Sequence, residues 1–368
     1  MLHPLMTLLQ LGIGLCKVSD KRCEALLMLS MRQWQNLMTL AERQGVSAIA
    51  FDGVQRLYNE YPKNIKAAKE SSVEWMQWVY ECAGMMTQCE QINLQQKKVV
   101  DELADICDYN GIKLMVFKGQ ANALFYPLPA HRAPGDVDCY MFGEADEGDR
   151  LLAQKGATVE NNWYRHSKVS YHGETIENHR VLCHTRGDKK KKKMEEELKA
   201  LLHPHDMCQI DGCGKALMPT AQFNAYFLLY HALHHFTSEG LRMKQILDWA
   251  MFLKSQQNNV DWDAFYDFCE RYKVDKFAAV MNFIAVNYLG VPIEQDIIMD
   301  GTYAEKVLHS TLYDDDYLFN SGKSDWIVRW LLVKNMLIYD RWKYEDIAQE
   351  NAWKHLWLYA TGFLFDKD

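Results

Sequence analysis

"FKGQANALFYPLPAHRAPGDVDCYMF" occupies residues 117–142, and its reading decides the fold. It continues "IKLMVF" (112–117), a short apolar run after Gly111 that reads as a buried strand. "KGQANALFYP" turns at once into a helix, which Pro127 stops. "DVDCYMF" (136–142) is then a second strand. Alternation along a strand sends Asp136 and Asp138 to one face and Val137 and Cys139 to the other. Two carboxylates so close repel, and a divalent cation between them removes the repulsion. Taken in isolation, Asp-x-Asp also fits a solvated acidic turn.

Downstream the α/β pattern continues. "EADEGDRLLAQKG" (144–156) is a helix, and "SKVSYHG" with "ETIENHRVL" (167–182) is a hairpin turning at Gly173. On the second strand of that hairpin Glu177 and His179 share a face, at the same alternate spacing as the aspartates. Strand, helix, strand, helix and two more strands make a small mixed α/β unit over 111–188.

Helical spacing dominates on both sides of it. Apolar residues recur every three or four positions in "QWQNLMTLAERQGVSAIAFDGVQRLY" (33–58), and residues 71–111 form one long helix or two stacked ones, ending at Gly111. After residue 189 the amphipathic segments resume at 220–236, 241–256, 262–274 and 275–290, and the Trp-rich stretch 324–342 continues them. The fold class expected is therefore α+β: a small mixed sheet over 111–188, set between an N-terminal helical region (1–110) and a C-terminal helical domain (189–368).

The chemistry gathers on the α/β unit. Lys118 and Gly119 stand at a strand-to-helix junction, where free N–H groups and a helix N-terminus can receive phosphate. A phosphate turn, a carboxylate pair and a third carboxylate on a later strand are what metal-assisted phosphoryl or nucleotidyl transfer requires. Arg132 precedes the Asp-x-Asp strand and suits either phosphate oxygens or the two aspartates themselves.

At this point the run 117–142 resembles the uncharacterised nucleotidyltransferase family, whose members carry a Lys-Gly turn, an arginine and a Gly-Asp-x-Asp strand. That family belongs to the DNA polymerase β-like nucleotidyltransferase superfamily. The resemblance extends to "IENH" (176–179) and "HALHHFTSEGLRMKQILDWAMFL" (231–253), and covers about residues 30–260. It implies that Asp136, Asp138 and Glu177 bind Mg²⁺ or Mn²⁺ and are catalytic. It also implies that Lys118, Gly119, Arg132, Gly135 and Arg242 hold the nucleotide, with Asp248 facing the cleft. The implied reaction moves an NMP from an NTP such as ATP to an acceptor hydroxyl, which belongs to a small molecule, a protein or an RNA end. Where the wider superfamily has Gly-Ser or Gly-Gly, this chain has Lys118-Gly119-Gln120 and lacks the serine hydroxyl. The competing reading is a non-catalytic nucleotide-binding or interaction protein of the same fold.

Composition narrows the partners. A net charge of −8 argues against extended nucleic-acid binding, so a polyanionic substrate needs local cationic groups or metal. The ten cysteines form no dense framework, which fits reduced thiols and a cytoplasmic location. No apolar run is long enough for a bilayer, and the N-terminal apolar stretch, without a basic leader, reads as a first core helix. "KKKKKMEEELKALLH" (189–203) reads as a solvated helix rather than a nucleic-acid arm. His231, His234 and His235 fit buried helix packing better than metal binding. His203, His205, Cys208 and Cys213 offer zinc donors at a spacing that matches no strong finger pattern.

Overall fold

The structure, a computed structural model, describes residues 4–60, 73–162, 164–183, 188–238, 240–313, 333–353 and 356. Four short helices come first: α1 (Pro4–Ile13), α2 (Asp20–Leu27), α3 (Met31–Arg43) and α4 (Ser47–Glu60). The apolar α1 is buried along nearly its whole length, as a helix hydrophobic on all sides must be. It lies so close to α4 that a Cβ at Gly12 would collide with the Ile49 carbonyl, and one at Gly53 with the Leu8 carbonyl. A capping box starts α3, with Ser30 Oγ accepting from Gln33 N–H and Gln33 Oε1 accepting from Ser30 N–H.

The stretch read as one long helix or two is a single 37-residue helix, α5 (Val73–Tyr109). Its first half packs Trp75 and Trp78 around Trp34, with ring centroids 5.7–6.0 Å from that indole. Its second half lays Val99, Val100, Leu103 and Cys107 on one face of the sheet. Gly111, at φ +75°, turns the chain out of the helix into the sheet.

The chain then supplies β1 (Met115–Phe117), α6 (Gly119–Ala123), β2 (Val137–Tyr140), α7 (Ala145–Gln154), β3 (Thr158–Asn162), β4 (His166–Tyr171) and β5 (Glu174–His179). Next come α8 (Lys189–Ala200) and two short strands, β6 (Cys208–Gln209) and β7 (Leu217–Met218). They form one mixed seven-stranded sheet in the order β3-β4-β5-β2-β1-β7-β6, with β2–β5 and β1–β7 parallel. The β4–β5 hairpin turns at His172 and Gly173, both at positive φ, as a tight two-residue hairpin requires. The sheet was expected within 111–188, yet β6 and β7 extend it to residue 218. Strands of two residues are too short to leave a period in the sequence.

The two faces of the sheet differ. Val116, Val137, Cys139, Val169 and Ile176 pack under α5 in one apolar cluster. Met115, Phe117 and Tyr140, on the opposite face, join a second cluster with the C-terminal helices α9 (Ala221–Ser238), α10 (Met243–Gln256), α11 (Trp262–Tyr272), α12 (Asp275–Phe283) and α13 (Ala304–Tyr313). The architecture is α+β, a mixed sheet flanked by helices. The lysines Lys189, Lys190, Lys192 and Lys193 of α8 are exposed, as a solvated helix should leave them. Residues 324–332 of the Trp-rich stretch lie outside the described residues. Among the described residues no helix is long and apolar enough to cross a membrane.

One buried histidine ties the N-terminal helices to the loop before β2. Nδ1 of His131 lies 2.8 Å from Asp52 of α4, and Nε2 lies 2.9 Å from Glu90 of α5. With a carboxylate at each nitrogen the ring favours its charged form: the Asp52 hydrogen bond, aided by Glu90, raises the His131 pKa against the opposing effect of burial. A raised folded-state pKa gives stability that is complete below the unfolded value of about 6.5 and is lost as pH climbs through the folded value. The melting-temperature advantage of wild type over His131→Gln should therefore shrink from about pH 6 to about pH 9. An advantage constant across that range would show that His131 carries no linked proton.

Candidate active site

Strand pairing assembles the site. The parallel register of β2 and β5 sets Asp138 beside Glu177 and Tyr140 beside His179. The antiparallel register of β4 and β5 sets His166 opposite His179. Neighbouring residues in a sheet share a face, so Asp138, Glu177, His179 and His166 all point away from α5, toward the C-terminal helices. There they line a cavity of about 450 Å³. Its opposite wall is helical: His231 and His235 from α9, and Arg242, Lys244 and Asp248 from the start of α10.

Asp138 is the most engaged of the carboxylates. Lys118 Nζ donates to its Oδ1 at 2.6 Å, and His179 Nε2 lies 2.9 Å from the same oxygen. Burial by itself would raise this carboxyl, but the adjacent Lys118 and His179 hold it far below the usual range. Oδ2 has no hydrogen-bond partner among the described residues. Glu177 lies 3.3 Å from His166 Nε2 and 3.6 Å from His179 Nε2. Against burial, His179 lowers the Glu177 pKa. One imidazole nitrogen thus touches both carboxylates, which keeps them within the roughly 8 Å that a pair of bridging ions can span.

Asp136, just before β2, is exposed and makes no hydrogen bond or ion pair with any described residue. Partial desolvation against the cavity wall, then Glu177 and then Asp138, push its pKa up. A cation relieves that kind of crowding, and the oxygen donors of Asp136, Asp138 and Glu177 suit Mg²⁺ or Mn²⁺. By donor type this trio suits a divalent ion, but its oxygens do not all lie within 4.8 Å of one another; among the described residues that closeness belongs to His166, Glu177 and His179.

Lys118 occupies a strained backbone position, at φ 56° and ψ −126°, that residues with a Cβ rarely adopt. Holding it there places the ammonium on Asp138, 5.5 Å from the Phe117 ring centroid and 5.7 Å from that of Phe227. The ammonium expected to hold phosphate is thus engaged by a carboxylate. Gly119 follows as the first residue of α6, and Gly135 sits where a Cβ would approach Lys244 Nζ.

Arg132 lies deep in the wall. Nε and Nη2 each donate at 2.8 Å to the two oxygens of Asp248, and Tyr126 Oη donates to Asp248 Oδ1 at 2.7 Å. Its partner is Asp248 of α10, rather than either aspartate of the strand. Arg242, the residue before α10, is exposed at the cavity rim.

Three charged or titratable cavity groups escaped the sequence reading: Arg165, His166 and Lys244. His166 lies on the far strand of the hairpin, and its relation to His179 appears once the strands are paired through Gly173. Lys244 precedes Asp248 by one helical turn, a spacing that was available in "KQILD". Burial, with the Arg132 charge nearby, pushes the Lys244 ammonium down to about 7. Of the three histidines of α9, His231 and His235 line the cavity with Nε2 atoms 3.2 Å apart, and burial holds His231 well below the ordinary value. The zinc donors do not converge. Cys213 is buried in the cluster under α5, Cys208 is exposed on β6, and no group of three among the described residues draws on them.

The carboxylate-bearing sheet thus faces a helical wall across a polar cavity. The family model for the uncharacterised nucleotidyltransferases matches residues 30–290, and the chain belongs to that family. No curated protein and no solved structure matches the chain.

Lys118→Ala and Lys118→Gly both remove the ammonium, but only glycine accepts the backbone angles without strain. The glycine variant should be the more stable by about 1–2 kcal/mol in chemical denaturation. Equal stabilities would mean that position 118 relaxes and stores no strain.

Proposed function

We propose that this protein transfers a nucleoside monophosphate from an NTP to an acceptor hydroxyl, in a reaction that depends on Mg²⁺ or Mn²⁺ and releases pyrophosphate. The observation that carries the reading is the β2–β5 register, which aligns Asp138 with Glu177 beside Asp136, unpaired among the described residues, on the wall of a polar cavity. Family membership supports the same reaction class.

In this reading Asp136, Asp138 Oδ2 and Glu177 hold the divalent ion, which supplies charge neutralisation at the α-phosphate and the leaving pyrophosphate. The acceptor oxygen bonds to the α-phosphorus, the bond from that phosphorus to the bridging oxygen of the pyrophosphate breaks, and the hydroxyl proton passes to a carboxylate of the trio. Asp136, with no partner among the described residues, is the one open to receive it. Lys244 and Arg242 supply positive charge around the phosphates, while Lys118, paired with Asp138, reaches them only by exchanging that carboxylate for a phosphate oxygen; Gly119 and Gly135 leave the backbone accessible. Arg132 acts by fixing Asp248 and the helical wall.

One observation favours a second reading. Lys118 and His179 already neutralise Asp138, so a nucleotide-binding protein without turnover could keep the same cavity. The test is incubation with each labelled NTP, Mg²⁺ or Mn²⁺ and a cell extract, followed by identification of the labelled component. Transfer should occur, and Glu177→Gln should slow it by about a hundredfold or more while nucleotide affinity is kept. Asp136→Asn combined with Asp138→Asn should abolish the metal-dependent stabilisation by nucleotide. Binding of nucleotide with no component labelled would replace the enzyme reading with the binding one.

A further inference from the structure

The strands that align the carboxylates also assemble a site of different chemistry. His166 begins β4, His179 ends β5, and Glu177 lies two residues before His179 on the same face. One ligand atom from each of His166, Glu177 and His179 falls within 4.8 Å of the others, the only such group of three among the described residues. Both imidazoles are buried, at 7% and 6% exposure, while Glu177 keeps access to the cavity.

Two details point to a ligand. His179 Nδ1 lies 3.4 Å from the Val181 carbonyl, which accepts its N–H and aims Nε2 at the Asp138 and Glu177 oxygens. A ring nitrogen donating to a carbonyl while the other faces anionic donors is the usual support of a metal-ligating histidine. His166 turns its Nε2 toward Glu177, 3.3 Å from a carboxylate oxygen, so the three donor atoms face one another.

We infer that His166, Glu177 and His179 form a subsite for a first-row transition ion of the Mn²⁺ to Zn²⁺ class, next to the oxygen-only pair Asp136 and Asp138. Two imidazoles and one carboxylate suit such ions, whereas Mg²⁺ takes oxygen ligands and keeps its waters. The inference deepens the nucleotidyl-transfer reading by placing this ion beside the nucleotide, but binding of the ion requires no turnover.

The test uses the full chain, stripped by chelator and free of nucleotide. Mn²⁺, Co²⁺, Zn²⁺ and Mg²⁺ are titrated separately by calorimetry, with Co²⁺ followed also by its visible absorption. Mn²⁺, Co²⁺ and Zn²⁺ should each bind at least about tenfold more tightly than Mg²⁺, and Co²⁺ should develop ligand-field bands. His166→Gln and His179→Gln should each weaken Co²⁺ binding by more than about a hundredfold, beyond the loss typical of an outer-shell partner. Equal affinity of wild type for all four ions overturns the inference without recourse to any variant. So does a folded His166→Gln protein whose Co²⁺ affinity is unchanged. Tight Co²⁺ binding with no NMP transfer to any acceptor would sink the enzyme reading and leave this one standing.

Discussion

The arrangement rests on one buried ion pair. Arg132 comes from the loop entering β2 and Asp248 from α10, 116 residues later, and the guanidinium meets both carboxylate oxygens at 2.8 Å. The bidentate geometry with the added Tyr126 hydroxyl satisfies the charges well enough to offset much of their desolvation. Losing either partner would strand the other in the interior, at about 3–5 kcal/mol. The pair locks the helical wall to the sheet, so Lys244 and Arg242 face the strand that carries Asp136 and Asp138. It serves the site by geometry, while its own charges are consumed internally.

Charge around the sheet is distributed by a similar logic. Three carboxylates line one side of the cavity with unequal partners: Lys118 and His179 at Asp138, His166 and the same His179 at Glu177, none among the described residues at Asp136. The pKa values separate accordingly, with Asp138 and Glu177 held down and Asp136 pushed up. This contrast gives chemically similar side chains different capacities to hold a cation or take a proton. The strain at Lys118 belongs to the same design, since the unfavourable backbone angles deliver the ammonium to Asp138.

Much of this was legible in the chain. Alternation in "DVDCYMF" correctly divided Asp138 from Val137 and Cys139, because a strand has a period of two whatever it pairs with, while Asp136, expected on that strand, precedes it. The same rule put Glu177 and His179 on one face, and a glycine marked the hairpin. Helical spacing likewise identified the surrounding helices, whose buried faces must recur with the turn. β3, β6 and β7 left weaker marks: β3 ends in polar residues, and the other two are only two residues long.

Sequence by itself determined which residues could act together within a segment, because local spacing sets the direction of each side chain. Tertiary structure decided the partners across segments. That Arg132 is bound to Asp248, that Lys118 is spent on Asp138 and that His166 stands opposite His179 are facts of register and packing between distant parts of the chain. Their physical cause is desolvation: once the cavity walls close, each buried charge must take the opposite charge nearest in space. Separation along the chain carries no trace of that distance.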